Sequence, residues 1–376
     1  MQVYFDNAAT TPLDPEVFEA MKPFMQEDFG NPSAIHKNGR KNRVAIEESR
    51  KKIASLLGVA PSEIYFTSGG TEASNTVINA AVHDLKVKRI ITSRIEHHCV
   101  LYPAEKMQKK WGLRTDYVEL QDSGEINYEH LEKLLAAENV PTLVSLMHAN
   151  NELGVMNDMT RIGEMCKKCH AFFLSDTVQT IGHFKFNLAE TPVHFVMSSA
   201  HKFHGPLGSG FLYVHPDLQI SPYFLGGAQE RNMRAGTENI YGIVGLAKAL
   251  EIAYRDFDEH KAKIMALRQY MIDELLHNIK GVSFNSPMDE PYLYTVLNVS
   301  FPPSKLGDLL IYNLDIGGIA ASAGSACSSG SNVGSHVMSA LGKDPARSGI
   351  RFSFSKWNTR EEVDYVIQTL KRLLNA

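Results

Sequence analysis

The stretch Met197-Ser198-Ser199-Ala200-His201-Lys202-Phe203-His204-Gly205-Pro206 decides how the rest of the chain is read. An apolar run, His194-Phe195-Val196-Met197, leads into it and reads as a buried strand. The lysine that follows sits among small and polar residues, just ahead of a Gly-Pro turn. A free lysine has a pKa of about 10.4 and is almost wholly ammonium at neutral pH. It becomes a nucleophile only when it is desolvated or committed to a Schiff base. A single lysine after a strand is ordinarily a surface group, so its meaning rests on its company.

Upstream, from Ile64, strand and helix patterns alternate. Strands are predicted over Ile64–Ser68, Arg89–Ser93, Thr142–His148, Phe172–Asp176, His194–Met197 and Gly210–Val214. Helical stretches separate several of them, at Thr71–Val82, Pro103–Trp111, Tyr128–Ala137 and Thr160–Cys169. Such alternation of apolar strands with helices predicts an α/β fold with a largely parallel sheet covered on both faces. Before it, Asp14 and Pro15 mark a helix start, and a charged helix over Lys41–Leu57 stops at Gly58. After Thr237 a helical pattern runs from Ile240 to about Ile279, too long for one ordinary helix, and we expect a break near Phe257-Asp258. A strand (Tyr294–Phe301), a helix (Lys305–Leu314), two short strands and a closing helix (Thr359–Leu374) follow. We therefore divide the chain into a large domain, 15–257, and a smaller α+β domain, 1–14 with 258–376.

Bulk properties narrow the function. The 376 residues are 44% hydrophobic and 21% charged, with a net charge of −4. That balance is ordinary for a globular protein and points to neither nucleic acid nor a membrane surface as partner. No apolar run approaches a membrane span, and the first residues have no export signal. Four cysteines in this length are no disulfide framework, so a reducing, cytoplasmic setting is expected.

Several clusters carry chemical potential. Ser68-Gly69-Gly70-Thr71 follows a strand and opens a helix, where backbone N–H groups and the Thr71 hydroxyl suit an anion; a tight turn explains it equally well. Asp176 ends a strand, either as a helix cap or as an anion that keeps a heteroaromatic nitrogen protonated, with Gln179 close behind. His97 follows another strand and is placed to stack on a planar ring. Cys166-Lys167-Lys168-Cys169-His170 superficially matches a haem-attachment motif. It reads instead as a helix end feeding a strand, its cysteines and histidine packing residues, and no metal site is expected. In Ser322-Ala323-Gly324-Ser325-Ala326-Cys327-Ser328-Ser329-Gly330-Ser331, small residues surround one cysteine, a pattern that suits a mobile exposed loop carrying a thiol. Arg351, in a short strand, has the planar fork to clamp a carboxylate.

Taken together, these residues resemble the cysteine desulfurases, the nitrogen-fixation and iron–sulfur-cluster branch of the class V aminotransferase-like enzymes of fold type I. The resemblance covers essentially the whole chain. Its motifs are Asp6-Asn7-Ala8-Ala9-Thr10-Thr11, Asn31-Pro32-Ser33, Ser68-Gly69-Gly70-Thr71-Glu72, Glu96-His97, Asn150-Asn151-Glu152-Leu153-Gly154, Asp176 with Gln179, His201-Lys202, Arg234-Ala235-Gly236-Thr237 and Gly324-Ser325-Ala326-Cys327. Each is weak alone; their order and spacing are specific. Departures are small: Gly70 replaces a common alanine, Thr177-Val178 two alanines, and Leu207 a common basic residue.

The resemblance implies a pyridoxal 5′-phosphate enzyme that converts L-cysteine to L-alanine and leaves a persulfide on Cys327. It implies that Lys202 is the Schiff-base lysine, Asp176 the partner of the ring nitrogen, Gln179 the partner of the ring hydroxyl and His97 the stacking and proton-transfer residue. Gly70, Thr71, Ser199 and His201 would surround the phosphate, with Thr237 contributed by a second subunit of a homodimer. Asn151 would lie beside cofactor and substrate, and Arg351 on the substrate carboxylate. The sulfur would pass to an acceptor protein. Ending at Ala376, the chain is expected to lack the extended tail with which housekeeping members dock their scaffold. The other readings are a selenocysteine lyase or cystine C–S lyase on the same scaffold, an aminotransferase, and a catalytically idle homologue.

Overall fold

The structure, a computed structural model, describes residues 1–324 and 335–374. Its twelve described strands are β1 (Val3–Tyr4), β2 (Ile64–Thr67), β3 (Arg89–Thr92), β4 (Arg114–Tyr117), β5 (Thr142–Ser145), β6 (Phe172–Asp176), β7 (Phe195–Ser199), β8 (Gly210–Val214), β9 (Ser283–Phe284), β10 (Val296–Phe301), β11 (Ile319–Ala320) and β12 (Ser348–Ser353). The helices are α1 (Pro15–Gln26), α2 (Lys37–Leu57), α3 (Gly70–His83), α4 (His98–Trp111), α5 (Tyr128–Ala137), α6 (Met159–Lys168), α7 (Ile240–Arg255), α8 (Phe257–Asn278), α9 (Leu310–Ile316), α10 (His336–Ala340) and α11 (Arg360–Leu374).

The central sheet has seven strands in the order β2-β8-β7-β6-β5-β3-β4. Every neighbouring pair is parallel except those made by β8, which runs against both β2 and β7. Six strands therefore point the same way, and their carboxyl ends share one edge. Both faces are buried. Phe66, Val144, Phe173, Val196 and Phe211 pack on one side, and Leu143, Leu174, Phe195, Met197 and Leu212 on the other. This explains why the strands read as continuous apolar runs. The smaller α+β part has its own core. Leu297, Val299 and Phe301 of β10 and Ile350 and Phe352 of β12 pack with Leu267 and Met271 of α8 and Val363 and Val366 of α11. The amino-terminal residues Val3 and Phe5 belong to that core, because β1 pairs with β11.

Three strands escaped the sequence pattern: β4, β1 and the two-residue β9. β4 (Arg-Thr-Asp-Tyr) is a polar edge strand that pairs only with β3, so no apolar run marks it. β1 is two residues long. The long helical pattern breaks at Asp256, immediately before the expected position.

The other edge of the sheet is closed by an ion pair. Arg50 and Glu230 are 1% and 5% exposed, and Arg50 Nη2 lies 2.7 Å from Glu230 Oε1. Arg50 Nη1 donates to the Ile64 carbonyl at 2.9 Å, while the Phe66 N–H donates to Glu230 Oε2 at 2.8 Å. The pair thus satisfies the outward backbone groups of β2, a row that would otherwise invite another strand. It also fixes three consecutive residues at positive φ, Glu230, Arg231 and Asn232. Replacing one partner strands a buried charge, which costs about 3–5 kcal/mol. Arg50→Met is therefore expected to lower the midpoint of denaturant unfolding sharply, and adding Glu230→Gln to recover part of that loss.

Candidate active site

The aligned carboxyl edge gathers side chains from five strands. Gly69-Gly70-Thr71 follows β2, His97 follows β3, Asn151 follows β5, Asp176 ends β6 with Gln179 after it, and Ser199 ends β7 with His201 and Lys202 after it. Loops leaving parallel strands at this edge are where open α/β sheets bind ligands.

The anion-binding end forms where α3 begins. Gly69, at φ +146°, swings the chain so that the Gly70 N–H points inward and donates to Ser199 Oγ at 2.8 Å. Space is tight: a Cβ on Gly210 would stand 2.2 Å from the Ser198 carbonyl oxygen and 2.7 Å from Gly69 Cα. The glycines therefore let three backbone segments converge under one helix N-terminus. Thr71 is exposed at that start, and His201 is half-buried with Nδ1 3.2 Å from Thr10 Oγ1.

Lys202 points into the same hollow. Its Nζ donates to the carbonyls of Ala8 and Ala9 at 2.7 and 2.8 Å, and Gln179 Nε2 donates to the Ala8 carbonyl at 3.0 Å. Asp176 is buried and accepts from the Val178 N–H at 2.9 Å. Burial pushes its carboxyl up to about 6, against the pull of that N–H and of the Lys202 ammonium. His97 caps α4, its Nδ1 accepting from the Cys99 N–H at 3.1 Å. Burial, then the charges of Lys202, His98 and His336, lower its imidazole to about 4, so the ring is neutral at working pH. The fit to an aldehyde-bearing aromatic phosphate is good. An amine, an anion cradle, a buried acid and a flat neutral ring face one another.

Arg351 approaches from β12, 1% exposed. Its Nη2 pairs with Asp6 Oδ1 at 2.7 Å and its Nη1 donates to the Asn151 carbonyl at 2.9 Å. Nε is buried with no hydrogen-bond partner among the described residues, an unspent donor at a site predicted to take a carboxylate.

The aminotransferase class-V family model matches residues 3–366. The chain belongs to that family. Among class-V aminotransferases it is 42% identical, over 99% of its own length and 94% of the relative's, to the protein named cysteine desulfurase IscS of Dictyoglomus turgidum. It is 40% identical, with 99% of both chains covered, to the putative cysteine desulfurase IscS 1 of Bacillus subtilis. A solved NifS-like protein superposes with a TM-score of 0.92 at 38% identity over the whole of both chains. The apo cysteine desulfurase of Thermococcus onnurineus superposes at 0.87 and 27% identity, covering 100% of this chain and 95% of that one. These likenesses make the fold that of fold type I class-V enzymes.

Not every residue expected from the sequence joins the cluster of this class-V chain. Thr237 is exposed and its side chain makes no hydrogen bond among the described residues. Its loop is tied to the first turn of α3 by Arg234 Nε on Glu72 Oε1 at 2.9 Å. Asn151 joins through its carbonyl. Cys327 lies outside the described residues. The packing expected of Cys166-Lys167-Lys168-Cys169-His170 holds only for Cys166, since Cys169 and His170 are exposed beyond the end of α6. Among the described residues no group of three or more His, Cys, Asp or Glu is placed to hold a metal.

Sequence reasoning assigned no role to Glu96 or Glu152, both fully buried, or to Asp6, the acid that pairs with Arg351. Glu96 takes the Ser93 hydroxyl and the Met147 N–H on one oxygen, and burial pushes it up to about 8. A glutamate next to two histidines at the end of an apolar strand was the available signal.

The buried histidines set an acid limit. His97, His148, His183, His194 and His201 are all lowered to about 4, and His204 to about 3, with burial the largest cause in each. Their contribution is complete above the unfolded value of about 6.5 and is lost as pH falls toward 4, because the unfolded chain binds protons first. Glu96 and Asp176, raised to about 8 and 6, act in the opposite sense over part of that range, but they are outnumbered. For the cofactor-free protein we expect the midpoint of denaturant unfolding to drop steadily from pH 6.5 to pH 4.5.

Proposed function

We propose that the protein is a pyridoxal 5′-phosphate-dependent cysteine desulfurase, converting L-cysteine to L-alanine and holding the sulfur as a persulfide on Cys327. The observation that carries the reading is Lys202 facing Asp176 and His97 at the helix start that Ser199 and Gly70 build, with Arg351 opposite, in a chain whose curated relatives are named cysteine desulfurases. When bound, pyridoxal phosphate supplies the electron sink for charge developing at the substrate Cα.

Lys202 supplies the amine that carries the cofactor and removes the Cα proton. Asp176 would hold the ring nitrogen charged and Gln179 would meet the ring hydroxyl. His97, neutral, would stack on the ring and relay protons rather than repel them. Gly70, Thr71, Ser199 and His201 would bind the phosphate, with Thr237 of a second protomer completing it in a homodimer. Large exposed side chains such as Phe29, Ile35 and Leu225 suit such an interface. Asn151 and Arg351 orient the substrate carboxylate. The Cys327 thiolate attacks the substrate sulfur, forming an S–S bond as the Cβ–S bond breaks. Cβ keeps the electron pair and takes a proton, and alanine leaves. The terminal sulfur then passes to an acceptor protein for iron–sulfur clusters or another thio-cofactor. No helix among the described residues is long and apolar enough to cross a membrane, and a reducing cytoplasm would keep the thiol competent.

Alanine and sulfide release from L-cysteine, with a thiol reductant, tests the reading. The wild type is expected to form alanine, and Cys327→Ala to fall by roughly 10²-fold or more, the scale of losing a positioned catalytic group. Lys202→Ala should lose the visible absorbance of covalently bound cofactor. Equal rates for Cys327→Ala and wild type would turn the assignment to a lyase that needs no enzyme thiol.

A further inference from the structure

Glu72 is the acid in the first turn of α3, the helix start that Ser199 and Gly70 build. It is 7% exposed, and both of its oxygens accept hydrogen bonds. Oε2 takes the Ser68 N–H at 2.8 Å, which folds the carboxylate back over the turn that carries Gly69 and Gly70. The other partner comes from far along the chain. Arg234 donates through Nε to Oε1 at 2.9 Å and through Nη2 to Oε2 at 3.2 Å, a two-pronged pair. Arg234 is itself held in place. Its guanidinium lies 5.4 Å from the centre of the Phe224 ring, and the next residue, Ala235, donates its N–H to the Phe224 carbonyl at 3.3 Å.

An acidic side chain in the first turn ordinarily stabilises a helix, because that end carries partial positive charge. Here the same end is also the place for an anion from outside. Gly69, the N-cap, has no side chain to offer, and the Gly70 N–H meets the neutral Ser199 hydroxyl. Within Ser68-Gly69-Gly70-Thr71-Glu72, the glutamate is the one charged residue. A bare carboxylate at that position would repel a phosphate and draw on the same helix end. With the arginine fork closed on it, the pair is neutral overall and the field of the helix end is left for the ligand.

We propose that Arg234 is a positioning residue for phosphate affinity: by neutralising Glu72 it keeps a negative charge from opposing the anion at the start of α3, and so sets how tightly the cofactor phosphate is held. The same pair fastens the loop before Thr237 to α3, which explains why an acid stands there at all. The inference rests on the reading of that helix start as the phosphate cradle.

The test separates charge from shape. Pyridoxal 5′-phosphate and pyridoxal are each titrated into the full chain freed of cofactor, and the visible absorbance that Lys202→Ala lacks is followed. The ratio of the two dissociation constants reports what the phosphate adds. Arg234→Met removes the charge and keeps an aliphatic side chain. It is expected to weaken pyridoxal phosphate about ten- to hundredfold, the scale of one partly screened unit charge, and pyridoxal by less than about twofold. Added salt should shrink the loss. Glu72→Gln should bind pyridoxal phosphate as tightly as wild type or more tightly. Combining it with Arg234→Met should bring the affinity back to within about threefold of wild type, because neither charge remains.

An Arg234→Met variant that binds pyridoxal phosphate like wild type overturns the proposal. So does an equal loss toward pyridoxal, or a double variant no better than Arg234→Met, since either outcome marks a contact that only shapes the loop. Should Arg234→Met not fold, Glu72→Gln decides alone: weaker binding of pyridoxal phosphate relative to pyridoxal overturns the proposal. A wild type that takes up the two compounds with equal affinity would instead remove the cradle reading, and the proposal with it.

Discussion

The contact on which the rest of the site depends is made by a segment with little regular structure. Residues 6–14 run between the two cores, and almost every polar group they carry is used. Ala8 and Ala9 offer their carbonyls to Lys202, and Thr11 accepts from the His204 N–H while bonding the His201 carbonyl through both its N–H and its hydroxyl. In the other direction, the Ala8 N–H donates to Ser353 Oγ, Asn7 Nδ2 donates to the Ser353 carbonyl, and Asp6 pairs with Arg351. The lysine loop at the end of β7 and the arginine strand β12 are thus registered against one strap. Buried polar atoms tolerate little misfit, because each broken bond leaves a desolvated group behind.

That strap explains how opposed electrostatic demands coexist in a small volume. The site keeps a lysine ammonium, an arginine, at least two buried acids and a neutral imidazole close together. Among the described residues, the backbone carbonyls of Ala8 and Ala9 accept from the Lys202 amine and aim it into the hollow. Asp176 accepts from the neutral Val178 N–H, which leaves its negative charge to balance a cation. Arg351 is balanced by Asp6, which comes from the strap itself. Burial does the remaining work by holding His97 neutral.

The parts of this arrangement that were legible in sequence were local. Apolar runs announced β2, β3 and β5 to β8, helix signals placed α5 to the residue, and the glycines after Thr67 marked the anion end. Lys202, Asp176, Gln179 and His97 stand at or shortly after strand ends, and the resemblance of their motifs to a family supplied the roles expected of them. What stayed hidden depends on partners far along the chain. Glu230 looks like a surface acid until Arg50, 180 residues away, is brought to it by α2. Asp6 acquires meaning only once β12 delivers Arg351. β4 gave no apolar signal because an edge strand can be polar, and Cys169 and His170 were read as packing residues although the chain turns outward after α6. Periodicity reports which face of an element is buried; it does not report what lies opposite.

The distance between those partners has a temporal meaning. Asp6 and Arg351 are 345 residues apart, so at about 5–20 residues per second the first waits roughly 17–70 seconds for the second during synthesis. All seven strands of the central sheet lie within residues 64–214, so they are synthesised before any part of β9, β10 or β12. The strap, first to leave the ribosome, is among the last segments to find its full set of bonds. Its bonds to Ser353 and Arg351 can form only after β12 has been synthesised.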